Sequence, residues 1–126
     1  MSIIKISVIT ITYNAENVIM RTLDSVLKQT FSNIEHIIID GASKDRTLLA
    51  EKEYESRSCS TNNGHEIKII SEPDKGLYDA MNKGIGKATG NYLVFLNAGD
   101  VFPSSSTLET VADMIGDGEE LPGVLF

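Results

Sequence analysis

Apolar residues recur along this chain in two rhythms. Runs rich in Ile, Val and Thr at residues 4–12, 34–40, 66–70 and 92–96 predict four strands. Between them apolar positions return every three or four residues. Ala15, Val18, Ile19, Leu23, Val26 and Leu27 share one helical face, with Asn14 placed to cap the first turn. A second helix is expected over 45–55 with Leu48, Leu49 and Tyr54 inward, followed by a polar loop, "SRSCSTNNG", at 56–64. A third carries the stripe Leu77, Met81, Ile85 and Ala88, weakened by about 1 kcal/mol at each of Gly84 and Gly86 relative to Ala. Leu108, Val111, Ala112 and Ile115 mark a short fourth helix, and "PGVLF" at 122–126 reads as the first half of a further strand.

Strands alternating with helices imply an α/β domain whose sheet is mostly parallel, with right-handed crossovers. The 34–40 run is apolar enough to be covered on both faces, as parallel strands are. A chain of 126 residues suits one domain. Because it closes on an apolar strand-like segment, the expectation is a fragment or shortened version of a longer fold.

Composition narrows the partners. Eleven basic against eighteen acidic residues give a net charge of −7, which excludes binding driven by clustered cations to nucleic acid or anionic membranes. Any phosphate ligand needs local donors or a metal to offset that field. The single Cys59 has no partner for an internal disulfide, fitting a reducing compartment, and no Cys/His spacing suggests zinc. His36 and His65 read as structural. The N-terminal "MSIIKISVITITYN" lacks a basic leader and cleavage site. No apolar run approaches the ~20 residues that span a bilayer. A cytoplasmic protein is expected, soluble or peripheral at the inner membrane face.

Ligands of open α/β sheets bind outside the carboxyl ends of the strands. All four predicted strand ends are polar: "TYN" (12–14), "DGAS" (40–43), "SEPDKG" (71–76) and "NAGD" (97–100). Each feature has a plain structural role beside a functional one. Tyr13 offers a ring for a nucleobase or covers the sheet rim. Asp40 accepts base N–H groups or forms a turn before Gly41. Ser43 and Asp45 are natural helix caps. Asp74, Lys75 and Gly76 make a turn, yet Lys75 is one of few cations near these tips, whereas Lys83 fits a solvated face. Ala98 and Gly99 leave room for a ligand to approach the backbone between Asn97 and Asp100. A hard carboxylate there suits Mg²⁺ or Mn²⁺ if a diphosphate and water supply the other oxygens.

At these residues the chain resembles a known family. "SVITITYNAENVIMRTLDSVLKQTF", "HIIIDGASKDRT" and "SEPDKGLYDAMNKGIGKATGNYLVFLNAGD" resemble successive blocks of the family 2 glycosyltransferases of GT-A fold, and most of all the bacterial members that build surface polysaccharides. The resemblance covers about residues 4–103. It implies a three-layer αβα, Rossmann-like sheet, with residues 1–126 forming a single nucleotide-sugar-binding domain, the donor half without its acceptor half. It implies that Thr12, Tyr13 and Asn14 line the nucleotide pocket, that Asp40 reads the base, usually uracil, and that Ser43 lies close by. Asp74, Lys75, Gly76, Asn82 and Lys83 would border ribose and diphosphate. Asn97, Ala98, Gly99 and Asp100 occupy the place of the family's metal motif. Many relatives carry two or three acids there; here Asn97 replaces the first, leaving Asp100 as the metal carboxylate.

The implied reaction is inverting transfer of a sugar from a nucleotide-diphospho-sugar to a saccharide or lipid-linked acceptor, assisted by Mg²⁺ or Mn²⁺. The family's general base lies beyond the metal motif. Glu109, Asp113, Asp117, Glu119 and Glu120 sit on or after a surface helix, so the base is expected beyond Phe126. Two alternatives stand beside this reading. One is a non-catalytic nucleotide-binding module. The other is a receiver-like signalling domain, which requires an acidic pair where this chain has Thr-Tyr-Asn.

Overall fold

The computed structural model describes residues 4–115 and the backbone of 123–125. In chain order the elements are β1 (Ile6–Thr12), α1 (Ile19–Leu27), β2 (Ile34–Asp40), α2 (Thr47–Thr61), β3 (Glu66–Ser71), α3 (Leu77–Lys87), β4 (Tyr92–Phe95), α4 (Thr107–Ile115) and β5 (Gly123–Leu125). The strands form one parallel sheet in the order β3-β2-β1-β4-β5. The chain builds outward from β1 to β3, then crosses back to lay β4 on the other side of β1. Pairing of Thr12 with Asp40, and of Asp40 with Ser71, brings the carboxyl ends of three strands level.

The β-branched residues of β1 and β2 explain why these strands form the centre: their alternate side chains feed opposite faces. Ile9, Ile37 and Ile39 meet Ala80 of α3 on one face. Ile38 meets Ile19 and Leu23 of α1 and Tyr54 of α2 on the other, while Val8 and Val94 pack with Val26, Leu108 and Ala112. The expected three-layer αβα arrangement is present.

Two helices differ from the sequence pattern. α2 runs through Thr61, six residues past the predicted end. Its buried face is Thr47, Glu51, Tyr54 and Ser58, whereas Leu49 is exposed. Polar partners beneath the helix replace an apolar stripe: His36 Nδ1 meets the Tyr54 hydroxyl at 2.7 Å, and His36 Nε2 meets Thr10 Oγ1 at 2.7 Å. Asn62, in left-handed conformation, ends the helix. In α3 the expected stripe is displaced, since Leu77 and Ile85 are exposed and Ala80 and Gly84 are buried. A Cβ at Gly84 would stand 2.5 Å from Ile9 Cγ2, so this helix lies too close to the sheet for larger residues.

Asn14 does not cap α1. Its backbone is left-handed, with φ of 47°, and its side-chain oxygen instead accepts the Lys44 N–H at 2.7 Å. Asp117, Glu119 and Glu120 lie outside the described residues.

Candidate functional site

The polar strand ends do gather at one edge of the sheet. Tyr13, Gly41, Ala42, Lys44, Pro73 and Asp74 line a hollow of about 440 Å³, within the ~300–1,000 Å³ typical of small-ligand pockets. A second hollow of about 300 Å³ adjoins it, lined by Ile11, Thr12, Tyr13, Asp74, Gly76, Leu77 and Ala80. Tyr13 and Asp74 belong to both. Tyr13 is 55% exposed and forms a wall shared by both hollows.

Loop-to-loop hydrogen bonds fix this rim. Asn14 N–H donates to Ser43 Oγ at 2.9 Å, Ala15 N–H to Thr47 Oγ1 at 2.7 Å, and Thr47 N–H to Asp45 Oδ1 at 2.9 Å. Ser43 therefore ties loops together, and Asp45 holds the start of α2. Asn14 and Ala42 both adopt positive φ, 47° and 62°, which L-residues hold only where their surroundings enforce it.

Asp40 lies beneath this rim with no exposed surface. Its Oδ2 accepts from Ser43 N–H at 2.8 Å and Ser71 Oγ at 2.9 Å, and its Oδ1 from Ser43 Oγ at 2.7 Å. Behind it, Glu51 of α2 is also fully buried, and neither of its oxygens has a hydrogen-bond partner among the described residues. Burial first, and the Asp40 charge second, push Glu51 up from 4.5 to about 9, so it is neutral at pH 7. Thr12 Oγ1, level with Asp40 in the sheet, is likewise buried without a partner.

Asp74 is placed differently. It is half-buried, its Oδ1 accepts from Gly76 N–H at 3.1 Å, and its Oδ2 approaches Gly41. A Cβ at residue 41 would stand 2.9 Å from that oxygen and 3.4 Å from Tyr13 Cδ1. Lys83 is not a solvated face residue. Its Nζ donates to the Pro73 carbonyl at 2.9 Å and pairs with Glu72 at 3.2 Å and Asp79 at 3.5 Å, clamping the loop that carries Asp74. Lys75 and Asn82 are exposed, and Lys75 N–H donates to Asp79 Oδ2 at 2.9 Å.

The turn after β4 lies beside the end of β1, because Ala98 N–H donates to the Ile11 carbonyl at 3.3 Å. Gly99, at φ of 99°, donates its N–H to Thr22 Oγ1 at 2.7 Å. Asn97 and Asp100 are exposed. Among the described residues no three His, Cys, Asp or Glu side chains gather as a metal cage. A lone hard carboxylate of this kind fits a divalent ion only when the ligand brings most of the oxygens, as a diphosphate does.

Sequence reasoning missed Gly41, Pro73 and Glu51. Glu51 carried one usable signal: it lies four residues from Thr47, three from Tyr54 and seven from Ser58, on one helical face. The role of Gly41 depends on which loop arrives above it, which no local pattern records.

Comparison with known proteins bears directly on this geometry. The profile of "Glycosyl transferase family 2" matches residues 7–122. A PGL/p-HBAD biosynthesis glycosyltransferase of Mycobacterium tuberculosis is 38% identical over 113 residues, 90% of this chain and 42% of that protein. Glycosyltransferase GlyA of Streptococcus pneumoniae is 34% identical over 96 residues, 76% of this chain and 13% of that protein. Among solved structures, S. aureus TarS 1-349 in complex with UDP-GlcNAc superposes with a TM-score of 0.73 at 28% identity, covering 88% of this chain and 31% of that one. The mannosyltransferase PcManGT of Pyrobaculum calidifontis, in complex with GDP-Man and Mn²⁺, gives 0.76 at 26% identity, covering 91% and 33%. The chain thus spans about two-fifths of the mycobacterial relative and about a third of these structures.

Proposed function

Because the chain belongs to glycosyl transferase family 2, we propose that it is the donor-binding portion of an inverting, metal-assisted glycosyltransferase that takes a nucleotide-diphospho-sugar, with a UDP-sugar as donor. The observation that carries this reading is the paired hollow flanking Tyr13 at the level carboxyl ends of β1, β2 and β3. Its supporting context is a GT-A fold shared with proteins solved with UDP-GlcNAc and GDP-Man.

The nucleobase stacks on Tyr13, with Thr12 and Asn14 beside it, while Asp40 and Ser43 brace the strand end and loop behind the pocket. Lys75, Gly76, Asn82 and Lys83 border the ribose and diphosphate, with Asp74 between them and the base, and Asn97 and Ala98 border the ribose-sugar side. Asp100 would hold a Mg²⁺ or Mn²⁺ ion together with diphosphate oxygens. When bound, that ion supplies Lewis-acid stabilisation of charge growing on the departing nucleoside diphosphate. Lys75, exposed on the loop that carries Asp74, would add a positive charge for the diphosphate. In a chain of net charge −7 such local positive charge decides whether an anionic donor can settle at all. The acceptor is a saccharide or lipid-linked saccharide of the cell surface, met in the cytoplasm or at the inner membrane face. The described residues contain no helix long and apolar enough to cross a membrane.

Titration calorimetry with UDP tests the site. Binding that needs Mg²⁺ or Mn²⁺ and falls at least about tenfold in Asp100→Ala is expected. Absence of heat with and without the ion would sink the proposal.

A further inference from the structure

We infer that Asp74, rather than Asp40, is the carboxylate that reads the edge of the nucleobase, accepting the ring N–H of uracil or guanine beside Tyr13. The inference rests on the donor-site reading above and names its base-specificity residue.

Asp40 is committed inward. Side chains alternate along β2, so Asp40 points with His36 and Ile38 toward α1 and α2, away from the hollow. It has no exposed surface, and its oxygens accept from Ser43 N–H, Ser43 Oγ and Ser71 Oγ. A base could reach it only after those serines let go and the strand end opened. The next residue along, Gly41, is the one whose side-chain direction enters the hollow, and it has no side chain.

Asp74 fills that space from the opposite loop. Its Oδ2 takes no hydrogen bond among the described residues and would meet a Cβ at Gly41 at 2.9 Å, next to the Tyr13 ring. The group is also held ready. Gly76 N–H fixes Oδ1, Lys83 Nζ holds the preceding Pro73 carbonyl, and Glu72 N–H donates to the Asp40 carbonyl at 3.0 Å. A carboxylate on a clamped loop, one oxygen satisfied and the other turned into a hollow with an aromatic wall, is an acceptor waiting for a donor.

Such an acceptor discriminates by chemistry. Uracil N3–H and guanine N1–H donate to it, whereas cytosine presents a lone pair at N3, and two acceptors then face each other. The preference for UDP or GDP over CDP should be about tenfold or more, as expected when a charged hydrogen bond is lost.

Calorimetric titration of the chain with UDP, GDP and CDP in the presence of Mn²⁺ tests this. Wild type should bind UDP or GDP about tenfold more tightly than CDP. Asp74→Asn, whose amide can donate to cytosine N3, should narrow or reverse that ratio, and Asp74→Ala should bring it close to one. Thermal midpoints should stay near wild type, since the lost partner is a single exposed-loop N–H. Equal binding of all three nucleotides by wild type, or an unchanged ratio in both variants, overturns the inference while leaving the donor site standing. If wild type binds none of them, the donor-site reading falls and this inference falls with it.

Discussion

The two ends of β2 carry the same chemical group to opposite effect. At the amino end, Glu35 is fully buried yet surrounded by donors: Lys68 Nζ at 2.7 Å, Ser7 Oγ at 2.8 Å, Thr89 N–H at 2.9 Å and Thr89 Oγ1 at 2.8 Å, with Lys5 Nζ at 3.5 Å. Burial alone would raise this carboxyl, but those donors outweigh it and hold it down at about 2. One side chain thereby fastens β1, β2, β3 and the loop before β4. At the carboxyl end, Asp40 receives serine hydroxyl and backbone donors, with no lysine or arginine among the described residues bonded to it, and Glu51 behind it keeps its proton. One end of the sheet is saturated with donors and closes the fold. The other holds its carboxyl groups with neutral serine, threonine and backbone donors, leaving it open to cations and N–H groups from a ligand.

Substitutions at the two ends should therefore fail in different measurements. Glu35→Ala removes the shared acceptor of two lysines, a serine and a threonine, the lysines keeping Glu66, and should cost about 3 kcal/mol in urea unfolding at pH 7. With a folded value near 2 against an ordinary 4.5, its ionic contribution is fully present above pH 4.5 and lost as pH falls through 2. The gap between variant and wild type should shrink on acidification; a gap independent of pH would mean that packing, not charge, holds this end. Tyr13→Ala should do the reverse. It weakens UDP binding about tenfold, the scale of one base–aromatic stack, and leaves the thermal midpoint in place because the ring is 55% exposed. A fall in stability with unchanged binding would erase the distinction between the ends.

Glu51→Gln is read from a pH profile and is the most diagnostic of the three. The folded carboxyl sits near 9 and the unfolded one near 4.5, so its protonated form stabilises fully below pH 4.5 and that contribution is lost as pH rises through 9. Glutamine has no proton to lose. Between pH 5 and pH 8 wild type should lose up to about 4 kcal/mol by this linkage and the variant much less, while the amide's own buried N–H groups shift the variant by the same amount at every pH. Thermal unfolding across that range would show a flatter pH profile for the variant, and parallel profiles would exclude a proton-bearing Glu51.

How much of this was written in the sequence depends on which contacts are local. The strands were legible because isoleucine-rich runs such as Ile37, Ile38 and Ile39 announce burial on both faces. Tyr13 stood out because it follows directly on a strand, and Asp100 because it closes the short polar turn after one. α2 was obscured because it buries Glu51, whose charged neighbour Asp40 lies on β2 and is distant in sequence, and Ser58, which reaches Asn63 past the helix end. α3 was displaced by a face for the same cause: Ala80 and Gly84 are buried for their smallness, and apolar spacing favours bulk. Asp74 was recognisable as a polar loop residue, but its difference from Asp40 emerges only once Gly41 is seen between them.

The contact of Gly84 with Ile9 reaches further than packing. Ala80, one turn earlier on the same face of α3, helps line the smaller hollow, and the start of the helix forms its edge. The helix rests on the sheet as a beam on a pivot, with hydrocarbon at one end and the ligand mouth at the other. The depth of that mouth is thus governed by a missing methyl group in the interior, where no ligand ever reaches.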